Sequence, residues 1–253
     1  MLKEIIIAIQ AYFKAHQFIR QHQLWKWILV PGIIYMLLFC VSIYFFGHTS
    51  NQFIEWLSLK TGLKAWLDSM NNSFLGFLFT FGTLLLWLLS IFLYFSFFKF
   101  FWLIVGSPVF AYLSEKTEAI IEGKDFPFSF SQLLKDIIRG IRLAVRNALW
   151  QTVYLITILL LGLIPVIGWM TPFIALLVEC YYYGFSMLDY SMERHKKTPA
   201  ESVYYIGHHK GLAVGNGMVF YLMHLLPVVG WVLAPAYAVI AATLSIYPQK
   251  NNS

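Results

Sequence analysis

The chain has 253 residues, with 18 Lys and Arg against 12 Asp and Glu, 59% hydrophobic residues and only 12% charged ones. A soluble domain carries about 25% charged residues, so this chain lacks the polar surface to face water all round and reads as an integral membrane protein. Its length admits one membrane domain over 1–253, without a sizeable soluble one, and the net charge of +6 fits cytoplasmic flanks, not nucleic acid.

Residues 1–27 form the first element. Leu2, Ile5, Ile6, Ile9, Phe13 and Ile19 recur at helical spacing, opposed by Lys3, Gln10, Lys14, Gln17 and Gln21. Such a helix lies in the interface, and its polar interruptions do not read as a cleavable leader. From 28 to 46 the chain is almost wholly apolar, about 19 residues, enough to cross the hydrocarbon core. Pro31 falls within the opening turn. Residues 47–73 are mixed, and 74–105 is the longest apolar stretch, with Lys99 near its end able to snorkel.

Gly106-Ser107-Pro108 then turns the chain into an amphipathic helix bearing Glu115, Glu118 and Glu122 and ending at Gly123. Ser129 with Gln132 has the form of a capping box for the next helix. That helix opens with Lys135, Arg139, Arg142 and Arg146 on one face. Thr198-Pro199-Ala200-Glu201 combines a cap, a proline at N1 and a capping box, which starts another. The cysteines, Cys40 and Cys180, lie in apolar segments and read as buried thiols, without a disulfide or a metal framework.

Two similar phrases interrupt the apolar runs 149–188 and 212–247. One is Leu163-Ile164-Pro165-Val166-Ile167-Gly168-Trp169 followed by Pro172; the other is Leu225-Leu226-Pro227-Val228-Val229-Gly230-Trp231 followed by Pro235. Proline cannot continue a helix and glycine permits reversal, so each phrase marks the tip of a helical hairpin. Arms of about 12 to 16 residues reach about 18–24 Å, short of a core of about 30 Å. The expected fold is therefore all-α integral membrane: two long transmembrane helices, two re-entrant hairpins and an N-terminal interfacial helix, with six full spans as the alternative. Tips at mid-depth need protein around them, which points to close packing within one subunit or a homo-oligomer. Segments 1–27, 106–150 and 189–212 hold 14 Lys and Arg while 47–73 holds two, so both termini are expected on the cytoplasmic side.

Candidate functional residues follow from cost. Glu179 sits amid apolar sequence, where charge is expensive; a cavity-facing or ion-paired role is expected, with an arginine of the stripe or Lys99 as partner. A protonated, hydrogen-bonded carboxyl is the other reading. Glu115 and Glu118 are pore or ion-pair candidates that could meet Arg139 or Arg142. The basic stripe either gathers anions or rests on lipid headgroups. Asp189 is placed to anchor the end of its arm. His208-His209 point about 100° apart on a helix and read as a solvated segment, while His224 and Asn216 either line a cavity or pack between helices. No His-Glu-x-x-His, Walker loop or Gly-x-Ser-x-Gly elbow occurs, so neither an enzyme nor a cofactor is expected.

The ordered series resembles the CysZ-type sulfate permease family, within the etoposide-induced-protein membrane superfamily, over nearly the whole length. It is carried by 23–38 with Leu29-Val30-Pro31, by 105–123 with Ser107-Pro108-Val109, Glu115 and Glu118, and by Lys135-Asp136-Ile137 with Arg139. The hairpin phrases, Leu188-Asp189-Tyr190, Ala234-Pro235 and Ala241-Ala242-Thr243 complete it. The resemblance implies two spans, two hemi-penetrating hairpins, cytoplasmic termini in a bacterial inner membrane, oligomeric assembly, and sulfate uptake feeding cysteine biosynthesis. It also implies an anion clasp, a Gly-x-Arg-Arg-like turn before the first span. Aligned on Pro31, this chain has Gln23-Leu24-Trp25-Lys26: the glycine and first arginine are replaced, and the second arginine becomes Lys26. Leu24, Trp25 and Lys26 are thus the substrate-binding candidates, and an ammonium keeps the charge without the planar fork. Each hairpin's second arm is expected to begin at Thr171-Pro172 or Ala234-Pro235, presenting a helix N-terminus to an anion. The alternative is a structural or biogenesis membrane protein of the same superfamily.

Overall fold

A computed structural model describes residues 1–60, 94, 98–124, 130–162, 170–195 and 197–250. The elements along these residues are all helices: α1 (Leu2–Gln21), α2 (Trp25–Lys60), α3 (Ser107–Glu122), α4 (Phe130–Gly162), α5 (Thr171–Arg194), α6 (Pro199–His208), α7 (Lys210–His224) and α8 (Val229–Lys250). Two compact units form, Met1–Met36 with Phe100–Ser253, and Leu37–Lys99. In the second unit Phe39 meets Phe98 and Phe46 meets Tyr94, with ring centres 5.5 and 4.4 Å apart, and Lys99 is buried. Most of the expected second span, 74–105, lies outside the described residues, as do Ser129, Pro165 and Gly168.

Local chemistry sets several helix ends. The Glu201 N–H donates to the Thr198 hydroxyl at 3.3 Å while the Thr198 N–H donates to the Glu201 carboxylate at 2.7 Å, a complete capping box opening α6. The backbone N–H of Thr198, and then its hydroxyl, hold the Glu201 carboxyl below the usual carboxylate range. At the end of α3, Gly123 takes a left-handed φ of 62° that closes the helix. Between 47 and 60 no proline interrupts the chain, and α2 continues to Lys60 where a mixed loop was expected. Pro31 consequently lies inside α2, in its second turn.

The core of the first unit is the crossing of α5 with α7. An added Cβ on Gly184 would stand 1.9 Å from the Ala213 carbonyl oxygen, and one on Gly217 would stand 2.0 Å from that of Cys180. The two backbones touch there, which only glycine permits. Helix α1 lies across the second hairpin, α7 and α8, through its small residues: Ala8, Ala11, Tyr12, Ala15 and Ile19 are buried. Leu2, Ile6 and Phe13, from the apolar set expected to define its face, remain exposed. The helix is thus two-faced, with a small-residue stripe against protein and large apolar side chains outside. The Tyr12 hydroxyl donates to the Asn216 carbonyl at 2.8 Å, and the Gly211 N–H at the start of α7 donates to Glu4 at 3.0 Å.

The second hairpin departs from the expected geometry at its tip. The reversal is made by Val228, whose φ is 62°, and not by Gly230. Gly230 already belongs to the first turn of α8, and an added Cβ there would lie 1.8 Å from the Met223 carbonyl oxygen. Glycine is needed for the close return of α8 onto α7. Pro235 therefore falls inside α8, not at its start, because the turn closes as soon as Pro227 has ended α7. With 22 residues α8 is about 33 Å long. Arm length alone thus no longer argues for a half-crossing hairpin. Among the described residues, three helices are long and apolar enough to span a membrane: Trp25–Thr49, Ile137–Gly162 and Val229–Tyr247. In the first hairpin, α5 does begin at Thr171 with Pro172 in its first turn. A Cβ on Gly162 would touch the Thr171 hydroxyl at 3.5 Å, so the arms meet at their tip ends.

Candidate functional site

The turn joining α1 to α2 holds the residues aligned with the anion clasp. Gln23 has φ 51°, the left-handed conformation that glycine adopts without strain and that a side chain such as glutamine adopts at a cost. Leu24 is buried, Trp25 half-buried and Lys26 exposed. Leu24 anchors the turn by donating its N–H to the Ile19 carbonyl at 3.1 Å. Trp25 sits edge-on to His16, which pairs with the Tyr237 hydroxyl of α8 at 2.7 Å. Replacing Gln23 by Gly is expected to relieve the strain and stabilise the fold by about 1 kcal/mol, readable as a higher unfolding midpoint in detergent.

Glu179, 5% exposed, occupies the interior between α4, α5 and α7. The side-chain amide of Gln151 donates to one carboxylate oxygen, and the Tyr221 hydroxyl donates to the other at 2.9 Å. Neutral donors from two helices thus meet the carboxyl. Gln151 and Asn147 are fully buried one turn apart on α4, and Arg146 donates to the Asn147 oxygen at 3.1 Å. Replacing Glu179 by Leu leaves both donors facing apolar side chains. It is expected to cost about 1–3 kcal/mol, more than Tyr221→Phe, in chemical unfolding of the purified protein.

The basic stripe of α4 is divided by its environment. Lys135 and Arg142 are exposed, whereas Arg139 is drawn in. Its guanidinium donates to the two carboxylate oxygens of Asp189 at 2.9 and 3.5 Å, to the Ser202 hydroxyl at 2.7 Å and to the Lys197 carbonyl, with Glu193 at 3.8 Å. Asp189 thereby anchors the C-terminal end of α5, and one arginine ties α4, α5 and α6 together. Glu118, aligned with the family's acid, pairs with His195 at 3.3 Å, and Glu115 is half-buried beside it on α3.

Other polar candidates have packing roles. Asn216 is buried and donates to the Ala238 carbonyl at 2.9 Å, tying the arms of the second hairpin. His224 Nε2 lies 3.3 Å from the Tyr35 hydroxyl of α2, and Trp231 donates to the His224 carbonyl at 3.0 Å. His208 and His209 each bond back to the carbonyl four residues earlier, consistent with a helical polar segment. A small apolar void lined by Pro31, Gly32, Trp102, Val232 and Pro235 lies where α2 passes α8. Residues that sequence reasoning missed are Gln151, Tyr221 and His195. Gln151 alone carried a signal, a polar side chain one turn from Asn147 in an otherwise apolar run.

The family described as "Sulfate transporter CysZ/Etoposide-induced protein 2.4" matches residues 11–235. Proteins named "Sulfate transporter CysZ" are similar over most of both chains. That of Pseudomonas fluorescens strain Pf-5 is 31% identical over 222 residues, 86% of this chain and 84% of its own. That of Pseudomonas aeruginosa strain LESB58 is 29% identical over 220 residues, 86% and 85% respectively. With long apolar helices and transporter relatives, this is a multi-pass protein of a bacterial membrane. The chain belongs to the sulfate transporter CysZ/etoposide-induced protein 2.4 family.

Proposed function

We propose that the protein is a permease for a small inorganic anion, sulfate, in the bacterial inner membrane, with both termini cytoplasmic and its product destined for cysteine biosynthesis. The observation that carries this reading is the turn at Gln23–Lys26. Its left-handed backbone and exposed lysine preserve the form and one charge of an anion clasp, within a chain that matches the family from 11 to 235.

Several features support two re-entrant hairpins in a single membrane domain. His224, at the end of α7, meets Tyr35, which falls near the middle of the apolar stretch Trp25–Thr49. The apolar stretch of α8 is 78% buried within the protein, against 22% for that of α2, so α8's hydropathy serves a protein core where α2's serves lipid. The N-terminus of α5 faces its tip with a partial positive charge suited to an anion, whereas the N–H groups of Val229, Gly230 and Val232 at the start of α8 already donate to the carbonyls of Pro227, Leu226 and Val228. Arg142 would face the vestibule or headgroups, while Glu179 would order the interior beside the path. A homo-oligomer would cover the tips. The sequence has no ATP-binding motif, so flux would be passive or driven by an ion gradient.

Radiolabelled sulfate uptake into proteoliposomes tests the reading. Saturable uptake is expected, with Lys26→Ala raising the half-saturating concentration on the order of tenfold, the worth of one charged hydrogen bond. Folded protein that moves no sulfate above empty vesicles would remove it, leaving the structural or biogenesis role.

A further inference from the structure

We propose that Arg146 of α4, with the hydroxyls of Tyr154, Tyr181 and Tyr182, forms a seat for the phosphate of one anionic phospholipid where α4 packs on α5. The inference is independent of the permease reading and holds whatever the protein carries.

Arg146 is the last charged residue of α4, so it stands where the basic flank of the helix meets its apolar stretch. The guanidinium is half-buried and makes one hydrogen bond, to the Asn147 oxygen at 3.1 Å. Asn147 is fully buried, so the guanidinium is held from within while its other N–H groups stay available. Among the described residues Arg146 makes no ion pair. Glu179 on α5 accepts from Gln151 and Tyr221 instead. A half-buried cation at this depth is costly without a counter-charge, and a ligand from outside the chain can supply one.

Three phenols gather beside it. The Tyr154 and Tyr182 rings meet across the contact of α4 with α5, their centres 6.2 Å apart, and those of Tyr181 and Tyr182 are 5.2 Å apart. The Arg146 charge acts on the Tyr181 and Tyr182 hydroxyls, and the Tyr154 hydroxyl acts on both, so these polar ends lie within electrostatic reach of one another. None of the three hydroxyls makes a hydrogen bond among the described residues. The cluster thus offers N–H and O–H donors with no carboxylate to balance them. A phosphate suits such a set, because a guanidinium fork matches two of its oxygens and phenols can donate to the others. Arg146, Trp150 and Tyr154 follow at steps of four along α4, and Val145, Leu149 and Val153 form the adjacent stripe, exposed and apolar. That stripe suits acyl chains, which selects a lipid over a soluble ion. A zwitterionic headgroup would bring an ammonium for which the cluster has no carboxylate, so the lipid selected is anionic.

Thermal unfolding of the full chain in neutral detergent tests the seat, with phosphatidylglycerol, phosphatidylethanolamine or sodium sulfate added at constant ionic strength. Phosphatidylglycerol should raise the unfolding midpoint saturably, and more than phosphatidylethanolamine at the same mole fraction. Arg146→Gln should raise the half-saturating phosphatidylglycerol fraction on the order of tenfold, and Tyr182→Phe about fivefold. Arg146→Lys, which keeps the charge without the fork, should fall between Arg146→Gln and the unaltered chain. Lys135→Gln removes an exposed cation of the same helix and should change nothing, which separates a seat from the general attraction of basic residues to an anionic surface. Should Arg146→Gln prove misfolded without lipid, Tyr182→Phe decides, since it removes one oxygen and no charge; unchanged protection there overturns the inference. Equal protection by the two lipids, or equal weakening by Lys135→Gln and Arg146→Gln, also overturns it. Protection by sulfate that Arg146→Gln abolishes would give the site to a soluble anion and overturn the lipid assignment.

Discussion

Asp189→Ala is expected to destabilise the protein by about 3 kcal/mol, the lower end of the range for breaking a buried ion pair by removing one partner. Arg139 is only 12% exposed and its best acceptor, at 2.9 Å, would be gone. Glu193 at 3.8 Å and the Ser202 hydroxyl remain, which is why the lower end applies. The cost falls on the junction of α4, α5 and α6, so opening there should precede global unfolding. Arg139→Met combined with Asp189→Leu should recover most of the loss, because no buried charge is then left alone. Chemical unfolding of both variants in detergent measures this. An Asp189→Ala protein as stable as the unaltered one would show that the pair is only a surface contact.

Gly184→Val or Gly217→Val should be still more damaging, on the order of 3 kcal/mol or more. The new Cβ atoms would meet carbonyl oxygens at 1.9 and 2.0 Å, and those oxygens belong to the facing backbone, which has no rotamer to yield. Helices α5 and α7 must separate along their whole crossing, and the bonds of Glu179 to Tyr221 and of Asn216 to Ala238 would lose register. The expected result is no monodisperse protein on size exclusion. Gly207→Ala is the contrast: nothing lies within 4 Å of its added Cβ in α6, and replacing an open helical glycine should be neutral or stabilising by up to about 1 kcal/mol.

The sequence was most legible where structure is decided within a few residues. Thr198-Pro199-Ala200-Glu201 became a full capping box, Gly123 closed α3, and Thr171-Pro172 opened α5, because a cap depends on neighbours in the chain. What depends on a facing helix was hidden. The Ala8, Ala11, Tyr12 and Ala15 stripe of α1 had the right spacing, but bulkier Ile and Phe residues masked it as the buried face. Gln151 and Tyr221 reach Glu179 from helices whose register no local pattern fixes. The tip of the second hairpin was placed correctly at Pro227, yet the roles of Val228 and Gly230 were exchanged, since turn closure and helix approach impose different demands.

The bonds from Tyr12 to Asn216 and from Gly211 to Glu4 join residues 204 and 207 positions apart. During synthesis α1 leaves the ribosome well before its seat is made. Until the second hairpin has been inserted, its small-residue face has nothing to rest on and the Glu4 carboxylate has no Gly211 N–H to accept from. Closure of the first unit is therefore a late, long-range event, with the slow search that such contacts impose. A chain stopped before residue 210 would carry a complete α1 with nowhere to dock, so the fate of α1 is decided by a segment made long after it.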